Sequence, residues 1–290
     1  MRFIYTFIFL SIFHANNAQT IERFSIDSGG TSATVGGINI LYTIGEVQVA
    51  ERTAATLSVS EGFIVPQSVG IRVSPIVFLQ GAGTDPFPGE LALMRDNLRT
   101  TSPVSIPTDS PYDTTTCDAA VFTTTGTNAI VDWVFVALRD ATDPSIIIQS
   151  ASALLQRDGD VVATDGVSNL QFNLPQASYY VSVTHRNHLG ILSANPITLS
   201  ESTTVVDMTQ NLSDVFGGNL AVTQLSNGLF ALISGDVIPD GQILTTDYLD
   251  SLPDIGLSGY LATDTNMDGQ VLNTDILLLT LPNVGRSQQY

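Results

Sequence analysis

The chain predicts a mainly β fold, an antiparallel β-sandwich followed by a small α module built on two loops of EF-hand type. Three observations lead there. Between Ala129 and Met208, short apolar runs alternate with turn residues at the spacing of a sandwich. Near the other end, two stretches repeat aspartates, a glycine and an aliphatic residue at matching positions, and their starts lie 264 − 236 = 28 residues apart. Upstream, residues 19–70 are rich in Gly, Ser, Thr and β-branched residues, with glycine pairs as punctuation. The expected partition is a leader over 1–18, an N-terminal β segment over 19–70, a β-sandwich region over 71–235 and a loop-and-helix module over 236–290.

Residues 1–18 have the form of a secretory signal peptide. Arg2 supplies the charge, Phe3 to Phe13 the apolar stretch, and Ala15-Asn16-Asn17-Ala18 the small-residue cleavage region. That stretch is too short to span a bilayer, so the expectation is a secreted or cell-surface protein. Composition agrees: 43% of residues are hydrophobic, only 13% are charged, and the net charge is −18. Such an acidic chain is a poor match for nucleic acid or anionic membranes, which select positive charge. All ten basic residues are arginine, which excludes lysine Schiff-base chemistry and Lys–Asn cross-links. The single Cys117 is expected as a buried small apolar residue, with an intermolecular disulfide as the alternative.

Taken in order, the first strands are Ala33 to Val35, Ile38 to Ile44 and Thr56 to Val59, separated by Ser28-Gly29-Gly30 and Gly36-Gly37. Ile71 to Leu79 reads as another strand. Leu91, Leu93, Met94 and Leu98 recur at near-helical spacing and predict one short helix over Gly89 to Thr100, with Arg95, Asp96 and Arg99 on its solvated face. Thr101 to Cys117 reads as a loop. Strands follow at Ile130 to Leu138, Ile146 to Leu155, Leu170 to Phe172, Tyr179 to Thr184 and Val205 to Met208.

Little in this chain looks catalytic. It has no G-x-S-x-G, no H-E-x-x-H and no phosphate-cradling glycine loop, and no carboxylate pair stands out for glycoside chemistry. An enzyme is not expected. His185 and His188 flank Arg186-Asn187; three apart on a strand they should face opposite sides and share no metal. A polar corner is the expectation there, with a carbohydrate contact as the rival. Trp133 sits in an alternating strand and reads as core, the rival being a sugar-stacking platform. Arg157-Asp158-Gly159-Asp160 with Asp165-Gly166 reads as hairpin turns, the rival being a third calcium site.

The second C-terminal stretch, Asp264 to Asp275, places side-chain oxygens at loop positions 1, 3, 5 and 12, glycine at 6 and an aliphatic residue at 8. A hard cation such as Ca²⁺ takes six to eight oxygens at about 2.3–2.6 Å, and this spacing wraps oxygens round one point. Asp236 to Asp247 is the upstream copy, and each copy leads into an apolar segment, Tyr248 to Leu252 and Ile276 to Leu281. The pair resembles the dockerin family over roughly Gly235 to Arg286. The resemblance implies Ca²⁺ held by Asp264, Asn266, Asp268, Gln270 (through its carbonyl) and Asp275, and by Asp236, Asp240, Gln242 (through its carbonyl) and Asp247. It also implies a protein partner at positions 10 and 11, Thr245-Thr246 and Asn273-Thr274, or docking onto the chain's own upstream domain. Ile238 offers hydrocarbon where position 3 wants oxygen, Pro239 stiffens the same turn, and Leu244 and Leu272 replace the usual polar residue at position 9. The first loop is therefore expected to bind more weakly.

Two further resemblances bear on the rest. Ser178-Tyr179-Tyr180-Val181-Ser182-Val183 after Asn173-Leu174-Pro175 is similar to a transthyretin-like or carboxypeptidase-regulatory sandwich strand, within the wider Ig-like class. "GELALMRDNLR", "AIVDWVFVALRDA", "LLQRDGDVV" and "YYVSVTHRNHLGIL" resemble secreted, haemagglutinin-like surface proteins of Bacteroidetes-type bacteria. Together they imply a secreted calcium-binding surface protein with a structural or adhesive role. The alternatives are a self-assembling fibre subunit using strand exchange and a carbohydrate-binding module.

Overall fold

The computed structural model describes residues 29–35, 38–44, 50–54, 57–61, 70–101 and 105–290, the first four segments by backbone alone. The expected signal peptide lies outside these residues. The chain divides into two compact units, Met1–Gln67 and Ser68–Tyr290. In the first, β1 (Gly29–Val35) pairs antiparallel with β2 (Ile38–Ile44), and β3 (Ala50–Ala54) with β4 (Leu57–Glu61). The register begins at Val35↔Ile38, on either side of the glycine pair. β3 was not expected, since Ala50–Ala54 carries Glu and Arg in place of an apolar alternation.

The second unit is mainly β with few helices. Its strands are β5 (Ile71–Ile76), β6 (Ile130–Arg139), β7 (Ile147–Gln156), β8 (Val161–Val162), β9 (Leu170–Phe172), β10 (Ala177–His185), β11 (His188–Leu192), β12 (Ile197–Leu199), β13 (Thr204–Asp207), β14 (Val222–Gln224) and β15 (Phe230–Leu232). One sheet runs β11-β10-β6-β7-β8, with β12 also on β10, and every pairing is antiparallel. A second runs β13-β5-β9. There β13 is parallel to β5, the one departure from the antiparallel expectation among the described strands of this sheet. The two come from distant parts of the chain, so no hairpin dictates their direction. Both sheets contribute to one apolar core, with Ile71, Val73 and Phe172 from one and Trp133, Leu154 and Val181 from the other.

Residues 89–100 depart from the expected helix. Only α2 (Asn97–Thr100) is helical there, and α1 (Gln80–Thr84) forms upstream. The amides that a helix would spend on itself go elsewhere: Met94 N–H donates to Arg157 O at 2.8 Å and Arg95 N–H to Ala82 O at 2.9 Å. Met94 and Leu98 are fully buried while Leu91 is exposed. Asp96 is buried as well, not solvated; it pairs with Arg99 and lies 3.6 Å from Arg157 Nε. Arg157 in turn pairs with Glu90 and donates to Met94 O at 2.8 Å.

After β15 the chain enters the first loop, then α3 (Thr245–Ser251) and a 3₁₀ turn, Leu252–Asp254. The second loop follows, then a π-helical stretch, Asp275–Thr280, and a 3₁₀ turn, Leu281–Asn283. The π form has a simple origin. Asp247 to Leu252 is a step of five residues, whereas Asp275 to Leu281 is a step of six. An α-helix absorbs one extra residue as a wider turn. Accordingly Ser251 Oγ donates to Asp247 O four residues back, and its counterpart Thr280 Oγ1 to Asp275 O five back.

Candidate functional site

The duplication survives as duplicated hydrogen bonding. In the first loop Asp236 accepts Gly241 N–H at 3.2 Å and Asp240 N–H at 3.3 Å. In the second, Asp264 accepts Gly269 N–H at 2.9 Å and Asp268 N–H at 3.1 Å. Position 12 behaves alike in both: Asp247 accepts from Ile238 and Leu244 at 3.0 and 2.8 Å, Asp275 from Asn266 and Leu272 at 2.9 and 2.8 Å. Asp240 and Asp268 each accept the amide of position 7, Gln242 and Gln270, at 2.9 Å. Gly241 and Gly269 take φ of +81° and +91°, the left-handed turn that glycine adopts without penalty. Position 8 pairs crosswise: Ile243 exchanges backbone bonds with Gly285 and Arg286 after the second helix, and Val271 with Gly256 and Leu257 after the first. The two repeats thus form one interlocked pair.

The loops differ at positions 3 and 4. Asn266 Oδ1 accepts Asp268 N–H at 2.9 Å. Ile238 has no side-chain oxygen, and its backbone carbonyl accepts Asp240 N–H instead, across Pro239. Met267 has φ of +61° and is buried in the main core. Pro239 cannot adopt that angle because its ring holds φ near −65°. The first loop is fastened through Ile243, which joins a small separate cluster with Leu189 and Ile233.

Asp236, Asp247, Asp264 and Asp275 are buried, Asn266 and Asp268 are half-buried, and Asp240, Gln242 and Gln270 are exposed. Burial is the main cause that pushes the carboxyls of Asp236 and Asp264 up to about 7. For Asp264, Arg186 and the Gly269 amide pull the other way, while Asp275 and Asp268 add to the rise. Among the described residues no three His, Cys, Asp or Glu side chains converge as they stand on a metal-sized point; the loop carboxylates accept amide hydrogens. The donor chemistry still fits a hard divalent cation. It consists of oxygens only, and it holds buried carboxylates whose charge lacks a full counter-charge.

Beside the second loop lies a buried polar corner, as expected, but its histidines are not placed as their spacing along one strand suggested. His185 and His188 do not face opposite sides. They end β10 and begin β11 as a directly paired couple, so the two-residue turn Arg186-Asn187 folds them onto one face, with Nδ1 atoms 3.1 Å apart. Gly81 N–H donates to His188 Nε2 at 3.0 Å, so that ring carries its hydrogen on Nδ1, 2.7 Å from Asn187 Oδ1. His185 Nδ1 then accepts, and its Nε2–H donates to Asp132 Oδ2 at 3.1 Å. Burial holds both histidines below their ordinary pKa, His188 well below. Asp132 is fully buried; it also accepts from Arg186 Nε at 3.0 Å, Tyr260 Oη at 2.6 Å and Trp133 N–H at 2.7 Å. These partners outweigh burial and hold its carboxyl at about 2.

The sugar-stacking reading of Trp133 loses its residue here. Trp133 is fully buried, its Nε1–H donating to Pro107 O at 2.9 Å, and so presents no face to a sugar. His185, Arg186 and Asn187 are buried too. Residues 157–160 turn between β7 and β8 with Gly159 at φ +97°, and Asp165 accepts the amides of Val167 and Ser168 at 3.0 and 2.8 Å, as turns do. Cys117 is half-buried and unpaired in this chain. The position-9 leucines, Leu244 and Leu272, are both exposed, as are the repeat-related Leu252 and Leu281.

No protein family matches the chain, and neither does any curated protein. Among solved structures it is similar to two mutants of a type II cohesin–X-dockerin complex from Acetivibrio cellulolyticus. The N-terminal interface mutant matches at 16% identity over 53% of this chain and 82% of that one, with a TM-score of 0.34. The C-terminal interface mutant matches at 13% identity over 76% and 98%, with a TM-score of 0.39. Both scores are too low to carry over a partner or a role. No helix among the described residues is long and apolar enough to cross a membrane.

Proposed function

We propose that residues 236–275 bind two calcium ions, the second loop more tightly, within a secreted, non-enzymatic surface protein of structural or adhesive role. The observation that carries this reading is the repeated bonding of buried carboxylates at positions 1 and 12 of both loops. Asp264, Asn266, Asp268, Asp275 and the Gln270 carbonyl would hold one ion. Asp236, Asp240, Asp247 and the Gln242 carbonyl would hold the other with fewer oxygens. The bound ion supplies positive charge to carboxylates that burial otherwise drives toward protonation. The chain's own residues do the rest: Gly241 and Gly269 turn each loop, Ile243 and Val271 pin it crosswise, and Asp247 and Asp275 cap the helices that follow. Exposed leucines at repeat-related positions suit contact with a protein partner. Because such loops close only in the folded chain, free calcium stabilises the fold by mass action. Melting the chain with calcium and with chelator tests this: calcium is expected to raise the melting temperature, and coincident curves would remove the proposal.

A fibre subunit is a second reading, favoured by one observation. The described strands of the first unit form two separate two-stranded sheets. A lone hairpin is marginal in water, and its unpaired edges accept strands from another chain. Electron microscopy with calcium distinguishes filaments from single particles.

A further inference from the structure

Four segments meet at the tip of the β10–β11 hairpin. Asn187 Nδ2 spends both hydrogens on the lead-in to the second loop, donating to Ala262 O at 2.8 Å and Asp264 O at 2.9 Å. Arg186 donates to Leu261 O just upstream, and its guanidinium lies 4.2 Å from the centre of the Tyr260 ring. Asp132 on β6 anchors both Arg186 and Tyr260. Helix α1 closes the far side so tightly that a Cβ on Gly81 would sit 1.8 Å from Thr265 O. The first loop meets the same tip differently. From the hairpin its lead-in receives only a backbone bond, Gly235 N–H donating to Asn187 O at 2.9 Å, which any residue at 187 would provide; the side chains that hold Ser234, those of Asn283 and Gln80, lie outside the hairpin.

We infer that Asn187, braced through His188, His185 and Asp132, is a positioning residue that sets the cation affinity of the second loop and leaves the first alone. The inference rests on the calcium reading above. Asn187 touches no proposed ligand oxygen; it fixes the peptide from which Asp264 projects, and the chain His188–His185–Asp132 fixes its own side chain. Ordering that lead-in before binding removes a conformational cost that the second loop would otherwise meet on closing. The first loop has no side-chain brace of this kind from the hairpin.

The test is a calcium titration of the full chain followed by amide NMR at Gly269 and Gly241, one reporter in each loop. In Asn187→Ala the midpoint at Gly269 is expected to rise about ten-fold, the usual effect of losing an outer-shell partner, with the midpoint at Gly241 unchanged. General loosening of the fold would move both reporters. Equal midpoints at Gly269 in the variant and the parent, or equal shifts at both glycines, would overturn the inference. Should Asn187→Ala fail to fold, Tyr260→Phe keeps the ring beside Arg186 and removes only the hydroxyl on Asp132. It should weaken the Gly269 site two- to three-fold, and no change there would count against the brace. If neither glycine responds to millimolar calcium in the parent chain, the calcium reading itself fails.

Discussion

The two loops share a motif and a bonding pattern, yet the structure treats them unequally. The second buries Met267 in the main core through a left-handed position 4, uses Asn266 as a side-chain acceptor, and receives a side-chain brace from Asn187. The first has Pro239 where that angle is needed, Ile238 where that oxygen is needed, and a satellite cluster of three apolar residues for support. On the calcium reading, a loop's strength would then be set by the surface behind it as well as by its own chemistry.

The largest effect should come from removing that surface. Asp132→Ala leaves the Arg186 charge buried without its partner and should cost about 3–5 kcal/mol in a denaturant melt with chelator. A loss of under about 1 kcal/mol would mean the network is not what holds the second loop. Next comes pH. With Asp236 and Asp264 at about 7 in the fold against 3.8 ordinarily, the calcium-free folded state retains protons that the unfolded chain has released. Their contribution is present below about pH 4 and is lost as pH rises toward 7. The depressed histidines act in the opposite sense: their contribution is present above about 6.5 and is lost as pH falls below it. The stabilisation calcium confers should thus grow between pH 4 and 7, and Asp264→Asn should flatten that growth more than Asp236→Asn. A pH-independent calcium increment would contradict this.

Smaller effects separate the loops directly. At a hundred-fold excess of calcium over its dissociation constant, Asp264→Ala should abolish about 2.7 kcal/mol of stabilisation, and Asp236→Ala a smaller amount, by calorimetric melting. Equal losses would erase the proposed ranking. Ile238→Asn restores an oxygen at position 3 and should tighten the first site about five-fold, roughly 1 kcal/mol, by calcium titration. If nothing changes, Pro239 and not the missing oxygen limits that loop.

Strands with clean alternation were legible. Leu170–Phe172 matches its expected bounds, and β6, β7 and β13 fall within one residue of theirs at each end. Trp133 in the core was legible for the same reason. The loop pair was legible as a repeat because aspartate, glycine and an aliphatic residue recur at matching positions, and the matching hydrogen bonds follow that recurrence. Asp96 and Arg157 were not, since a buried ion pair and an exposed charge look alike until the partner is known. The segment 89–100 showed a helical period, yet its amides found partners 63 and 13 residues away, Arg157 and Ala82. His185 and His188 were misjudged because their spacing was measured along one strand, whereas a hairpin turn lies between them.

By itself the sequence determined what depends on neighbours along the chain: period-two strands, glycine turns, the doubled aspartate spacing and the extra residue that widens the last helix. Tertiary structure alone decided which carboxylates are buried and which loop Asn187 braces. Those depend on contacts between residues tens to more than a hundred positions apart, such as Asp132 with Tyr260, and no local pattern encodes such a meeting.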